Sequence, residues 1–312
     1  MAGFPFLSYS LGMEFSKPVL SINDQLKLLQ SRGLLITNED KAAHYLSCIS
    51  YYRLSAYMRP FQIHNDINHT FKENITFDDV LRLYTFDRET RLLVLDSIEK
   101  IEIALRTQII YHLCIDHGRN WFENPTIFKK DQHAKLIEDI DKEINRTNEV
   151  FIKEYKNKYT SPTRPPAWMT IEVTPIGLLS RIFSSLQDKL PAKKTIGSFW
   201  GIDSIVLQNW IYSICYVRNI CAHHGRLWNR SLNPNIKIPK KCEDKWLSST
   251  PNVNNKLYLF LAMKTYLLRR LSDKTEFVNK FQNLLHKYPQ IDIKQMGFSD
   301  DWQKDSFWMC PM

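Results

Sequence analysis

Residues 76–118 read T-F-D-D-V-L-R-L-Y-T-F-D-R-E-T-R-L-L-V-L-D-S-I-E-K-I-E-I-A-L-R-T-Q-I-I-Y-H-L-C-I-D-H-G. Thr76 is placed to cap a helix, Asp79 occupies the capping-box position, and Gly118 stands just past the end. Leu81, Tyr84, Leu92, Leu95, Ile98, Ile101 and Leu105 recur at three- and four-residue steps, which predicts one apolar stripe with charged residues opposite. Periodicity does not locate kinks, so a break near Thr85–Asp87 is compatible with this pattern.

Outward from this helix the punctuation stays helical. Toward the N-terminus, Ser21 with Asp24 and Gly33 bound one helix, and a second is predicted from Asn38 through Tyr52. The first fifteen or so residues read as a loose arm. Tyr51, Tyr52, Arg53 and Arg59 could stack bases and bind phosphate, but an amphipathic helix face explains them better. Toward the C-terminus, Asp131–Lys158 reads as one charged helix, with its charges forming a solvated, paired face. S-P-T-R-P-P-A-W is a stiff connector, and Thr174-Pro175 opens a helix that ends near Pro191. A lysine-bearing loop is expected next. Asp203 then caps a helix whose buried side is Val206, Leu207, Trp210, Ile211, Ile214 and Cys215. Two more helices are predicted over Asn254–Arg270 and Asp273–Lys287, the second opening on a D-K-T-E capping box. Trp302, Phe307 and Trp308 are expected to pack back onto the domain. No repeat or β alternation appears, and the fold class is all-α.

The chain has 312 residues and a formal charge of +9, which favours an anionic partner, nucleic acid ahead of membrane. Nine glycines argue against Gly-rich nucleotide loops. The six cysteines are scattered and never form C-x-x-C, a usage that fits a reducing compartment. Neither a signal peptide nor a membrane-length apolar run is evident, so a cytoplasmic protein without membrane attachment is expected.

Chemistry concentrates in Val217–Arg230, V-R-N-I-C-A-H-H-G-R-L-W-N-R. Metal-independent RNA cleavage needs a base for the ribose 2′-OH, an acid for the leaving 5′-oxygen and a cation for the phosphorane. Histidine moves protons near neutral pH, and arginine presents a planar fork to phosphate oxygens. Arg218, Asn219 and His223 or His224 supply these parts, with Arg226 and Arg230 close behind. The bare R-x-H spacing is weak evidence, because Arg59–His64 and Arg106–His112 share it. On a helix Asn219, His223 and Arg226 fall on one face, whereas Arg218 and His223 lie about 140° apart. Either the helix is distorted here or two copies of the motif face each other. The plainer alternative has Arg218 and Asn219 bridging helices and the histidines satisfied at the surface. A zinc site at Cys221, His223 and His224 lacks a second ligand pair, and no metal or cofactor is expected. A cysteine hydrolase built on Cys221 lacks any familiar nucleophile context.

The Val217–Arg230 stretch resembles the signature of the Abi-like proteins, the AbiD/AbiF group of bacterial abortive-infection proteins. K-P-V-L-S-I-N-D-Q-L-K-L-L-Q-S-R-G-L, Y-L-S-C-I-S-Y-Y-R-L-S-A-Y, L-Y-T-F-D-R-E-T-R, I-E-K-I-E-I-A-L-R-T-Q-I and M-G-F-S-D-D-W resemble the same family, so the likeness covers about residues 15–308. It implies a HEPN-like helical bundle with additional N- and C-terminal helices: an N-terminal segment 1–75, a core 76–231 with the R-x4-6-H motif, and a C-terminal segment 232–312 packing on that core. It further implies an endoribonuclease that acts as a homodimer on single-stranded RNA, some members being restrained by a small noncoding RNA as in toxin–antitoxin pairs. By position Arg218 and His223 are then the motif residues, Asn219 is the polar residue after Arg, and His224 is a second histidine of allowed spacing. Glu102 and Arg106 fall in the family's E-x3-R stretch and either orient the site and its RNA or form a buried ion pair. A noncatalytic module that binds a structured noncoding RNA is the alternative in another class. A HEPN-associated transferase lacks a visible partner motif.

Overall fold

Helix-starting side chains act where the sequence places them. In the computed structural model, which describes residues 18–249, 251, 253–272 and 275–309, Ser21 accepts the Asp24 N–H at the start of α1 (Ile22–Ser31). Asn38 caps α2 (Glu39–Ile49) through the Lys41 N–H, and Asp203 caps α10 (Ser204–Ala222) through the Ile205 N–H. Thr76 and Asp79 exchange backbone bonds at 2.8 and 3.2 Å at the head of α4 (Phe77–His117). The loose arm expected for the first fifteen residues lies outside the described residues, as do Asp273 and Lys274 of the predicted D-K-T-E box.

Residues up to Tyr84 form one compact unit and those from Thr85 onward a second. In the first unit α2 and α3 (Tyr51–Met58) are separate helices, where one was predicted. Ser50 adopts φ 71°, which no α-helix contains, and its hydroxyl caps α3. Leu54, Tyr57 and Met58 of α3 are buried, Tyr52 is 88% exposed, and Tyr51 accepts a hydrogen bond from Arg32. That is the amphipathic face expected of this segment.

α4 has no break near Thr85–Asp87, since 77–117 contains no proline or glycine to cause one. Its buried side differs from the predicted stripe. Leu83, Val94, Ile98, Ile101, Leu105, Ile109 and Leu113 are buried, while Leu92 is 51% exposed. Between Leu83 and Val94 the buried positions are Phe86 and three polar residues, Asp87, Thr90 and Arg91. Counting apolar residues therefore selects the wrong leucine in that turn.

The charged helix predicted over Asp131–Lys158 is two helices, α5 (His133–Arg146) and α6 (Val150–Lys158). Thr147 turns extended between them and its hydroxyl accepts the Glu149 N–H, while Lys156 reaches back to the Ile144 carbonyl of α5. After the single turn α7 (Ala167–Thr170), α8 (Ile176–Ser185) begins beyond Pro175, which holds the N-cap position. Pro191 does not end that helix; it is the first residue of α9 (Pro191–Phe199), which replaces the expected lysine-bearing loop. The loop reading failed because Lys193 is fully buried, its ammonium bonded to Leu186 O, Asp188 and Gln208.

α10 buries Leu207, Trp210, Ile211, Ile214 and Val217 and packs on α8 and α9. Val206 and Cys215 are only half-buried, against the expectation that they join the buried side. α11 (Leu257–Leu271) is buried on all sides from Leu257 to Leu268, as the central helix of a core must be. α12 (Phe277–Lys287) and the tail close this unit: Trp302, Phe307 and Trp308 are buried, with Trp308 donating to Tyr258. Among the described residues no sheet forms, and extended pieces meet only at single bridges such as Phe128–Leu186. No described helix is long and apolar enough to cross a membrane. The fold is all-α, as predicted.

Candidate active site

The site grows from the C-terminus of α10. Arg218 and Asn219 are exposed in its last turn, 3.4 Å apart between guanidinium and side-chain carbonyl, on a helix otherwise held by its buried side. Helical geometry ends at Ala222. His223 caps the helix at φ −91°, and His224 follows at φ 57°, in the left-handed region. The His224 N–H returns to Cys221 O at 3.1 Å and the Gly225 N–H to Ile220 O at 2.8 Å. This bond pair closes a helix in which glycine usually holds the left-handed position. Here histidine holds it and glycine comes next. A Cβ on Gly225 would stand 3.2 to 3.3 Å from Ile220, so the residue after His224 has little room.

Both imidazoles are thus exposed, on a chain reversal and not on a continued helix face. The predicted alignment of Asn219, His223 and Arg226 fails at its third member, because Arg226 lies beyond the reversal. Arg230 donates to the Arg226 carbonyl at 3.3 Å, and both residues are half-buried.

The loop is fastened from behind by two residues that sequence reasoning missed. Asp87, with no exposed surface, accepts the Leu227 N–H at 3.1 Å and the Trp228 N–H at 2.6 Å. Its other charge partner is Arg91, one turn along α4, at 2.5 Å. Four-residue spacing on a helix brings acid and base together, and the two backbone donors occupy the remaining carboxylate lone pairs. Leu227 and Trp228 fill the adjoining core. The signal was available: Asp87 and Arg91 stand at positions where the buried stripe of α4 had to continue.

Glu102 and Arg106 form an ion pair along α4 at 2.5 Å. Arg106 is buried and also donates to Ile171 O and to Thr174, so its fork anchors the turn before α8. The Arg106–His112 match to the R-x-H spacing is accordingly structural, with His112 bonded to Gln108. Glu102, Arg106, Glu172 and Arg218 line one groove of about 410 Å³, together with Asp96, Glu99 and the exposed Ile103. Neither histidine lines it.

Cys221 is 2% exposed, and burial pushes its thiol up to about 12, with Arg91 opposing and Asp87 adding to the shift. A thiol held protonated in a buried site is a poor nucleophile near neutral pH. Among the described residues no group of three or more His, Cys, Asp or Glu is placed to hold a metal ion.

The architecture is that of an all-helical protein with an exposed Arg-Asn/His-His cluster at the end of a buried helix. Residues 44–229 match the family of Abi-like proteins, and the chain belongs to that family. Abortive infection, a form of phage defence, is the biological setting that this membership suggests. No curated protein and no solved structure matches the chain significantly.

Proposed function

We propose that the protein is a metal-independent endoribonuclease of the abortive-infection type, with a HEPN-like core, that cuts single-stranded RNA. One observation supports this most: Arg218 and Asn219 in the last turn of α10 and His223 and His224 on the reversal after it are all exposed, and a fully buried carboxylate clamps the backbone just beyond them at Leu227 and Trp228. Burying Asp87 is costly, and the result is a rigid display of two proton carriers beside a phosphate fork. In the reaction a histidine takes the proton from the ribose 2′-OH, whose oxygen attacks the adjacent phosphorus. Arg218 stabilises the phosphorane charge, with Asn219 positioning the phosphate or the imidazole. The P–O5′ bond breaks, a protonated histidine gives its proton to the 5′-oxygen, and a 2′,3′-cyclic phosphate remains.

The working form is a homodimer. Arg218 stands on α10 whereas His223 stands on the reversal after it, and neither histidine lines the groove that Arg218 lines, so a second copy completes the site in this reading. Ile103, 58% exposed in the groove with Arg218, gives a second copy apolar surface to cover. Arg226 and Arg230 extend the phosphate contacts, and a small noncoding RNA could restrain the enzyme by occupying the same basic surface.

A noncatalytic RNA-binding module is the second reading. It gains from the groove beside Arg218, where Asp96, Glu99, Glu102 and Glu172 outnumber Arg106 and Arg218 and so oppose a phosphate at the proposed cleavage site, leaving RNA to bind elsewhere on the surface. Cleavage of end-labelled single-stranded RNA decides between the two. Activity should survive EDTA and fall at least about a hundredfold in Arg218→Ala and in one histidine variant. Mixing inactive Arg218→Ala with the inactive histidine variant should restore part of it, since one composite site per mixed dimer is intact. Full activity in Arg218→Ala, or loss with EDTA alone, would sink the mechanism.

A further inference from the structure

Past the active-site loop the chain runs extended, and side chains of α10 hold it there. The Asn209 amide donates to Asn235 O at 3.1 Å while its carbonyl accepts the Lys237 N–H at 2.7 Å. The Trp210 indole donates to Lys237 O at 2.8 Å. Both backbone groups of Lys237 are therefore fixed by α10. Ile236 and Pro239 turn inward and are buried, which turns Lys237, Lys240 and Lys241 outward, all three exposed.

These ammonium groups make no ion pair among the described residues. The carboxylates that follow are already engaged, Glu243 with Arg270 at 3.3 Å and Asp244 with Arg270 at 2.7 Å. Elsewhere in the same unit Lys100, Lys142, Lys280 and Lys287 each meet a carboxylate. Three neighbouring cations without counter-charges, the first on a backbone held by α10, are a surface suited to a polyanion.

Two further facts narrow the ligand. Lys237 is held by Asn209 and Trp210, nine and eight residues before Arg218 and so roughly 12 to 14 Å back along α10, which sets these lysines apart from Arg218. They do not extend the phosphate subsite of the active site. Trp246, the nearest following aromatic, is stacked at 5.4 Å on Trp210 and edge-on to Tyr266 and Phe307. It offers no free face for an unstacked base. Tyr212 of α10, 54% exposed, offers one ring, short of the run of aromatics on which successive bases stack, so the cations are read as contacts to backbone phosphates, which a paired helix presents at regular spacing.

We propose that Lys237, Lys240 and Lys241 are a second RNA-binding surface, for the phosphate backbone of a base-paired RNA, separate from the cleavage site. The choice of RNA as the polyanion rests on the reading of the site given above. The test is fluorescence anisotropy of wild-type protein with an RNA hairpin and a single strand of equal length. Both carry 2′-O-methyl riboses that cannot attack, and salt runs from about 0.05 to about 0.2 M. Hairpin affinity at the midpoint should fall at least about tenfold in K237E/K240E/K241E. The slope of log K on log salt should shrink by about two to three, near 0.9 per lost phosphate contact. K237R/K240R/K241R should bind as wild type, and circular dichroism checks that each variant is folded. The proposal is overturned by a wild type that does not bind the hairpin, by an unchanged slope in the glutamate variant, by equal losses on hairpin and single strand, or by tighter binding to phosphatidylserine vesicles than to the hairpin. Cleavage is not read in this assay, so failure of the nuclease reading is seen separately, in the labelled-RNA experiment.

Discussion

Asp87 and His224 set the geometry of the candidate loop from opposite ends. Asp87→Asn keeps the shape but turns an amide NH2 or a weaker acceptor toward the Leu227 and Trp228 N–H groups, and leaves Arg91 buried without its counter-charge. The expected loss is about 3–5 kcal/mol of unfolding free energy by urea titration, with strong coupling to Arg91 in a double-mutant cycle. A loss below about 1 kcal/mol would mean that the pair does not hold the loop. His224→Gly should act in the other direction. Glycine relieves a left-handed backbone that costs other residues about 1 kcal/mol, so the melting temperature should rise by a few degrees. The same variant separates the imidazoles: cleavage retained in His224→Gly and lost in His223→Ala assigns proton transfer to His223.

At the scale of elements, helices with a strong cap and a clear stripe were legible in sequence, and those whose polar residues face inward were not. α9 was hidden because its lysine reads as exposed, whereas Lys193 finds three acceptors in the core. α11 holds a more demanding case. Lys264 is fully buried, its amine bonded to Ser97 at 3.1 Å, and burial drives its pKa well below 10.5, with Asp96 opposing and Lys100 adding to the shift. The folded chain therefore holds this proton less tightly than the unfolded chain, which keeps it up to the usual lysine range. The unfolded state then binds more protons, and this group's contribution to stability improves as pH rises. Lys264→Met should therefore stabilise the protein by about 1–3 kcal/mol near pH 7, with the gain shrinking toward about pH 10. Ser97 remains satisfied by the Leu93 carbonyl. Urea titrations at the two pH values read the effect, and a gain independent of pH would refute a lowered pKa for Lys264.

For the molecule as a whole, the +9 charge acts through location more than through its total. Carboxylates crowd the groove at Arg218, while Lys237, Lys240 and Lys241 are exposed without an ion pair among the described residues. Nucleic acid should therefore stay with the protein through purification at low salt and leave at high salt, as counterion release requires. The ratio of absorbance at about 260 to about 280 nm follows this directly, and ribonuclease treatment should lower it where deoxyribonuclease does not. A ratio typical of bare protein at low salt would count against both RNA readings.

The sequence by itself determined the all-α class, most helix starts, and the stretch in which Arg218, Asn219, His223 and His224 concentrate. These depend on local chemistry: capping side chains, 3.6-residue periodicity and the company of arginine with histidine. Tertiary structure alone decided that the helix ends at Ala222, that His224 takes the left-handed turn, and that Asp87 and Arg91 hold the loop from 140 residues away. It also decided that Arg106 is committed to Ile171 and Thr174 while the lysines beyond Asn235 face outward. The physical reason is common to all of these. A polar side chain declares its type in the sequence, but its partner is fixed only when distant backbone groups are brought within hydrogen-bond reach.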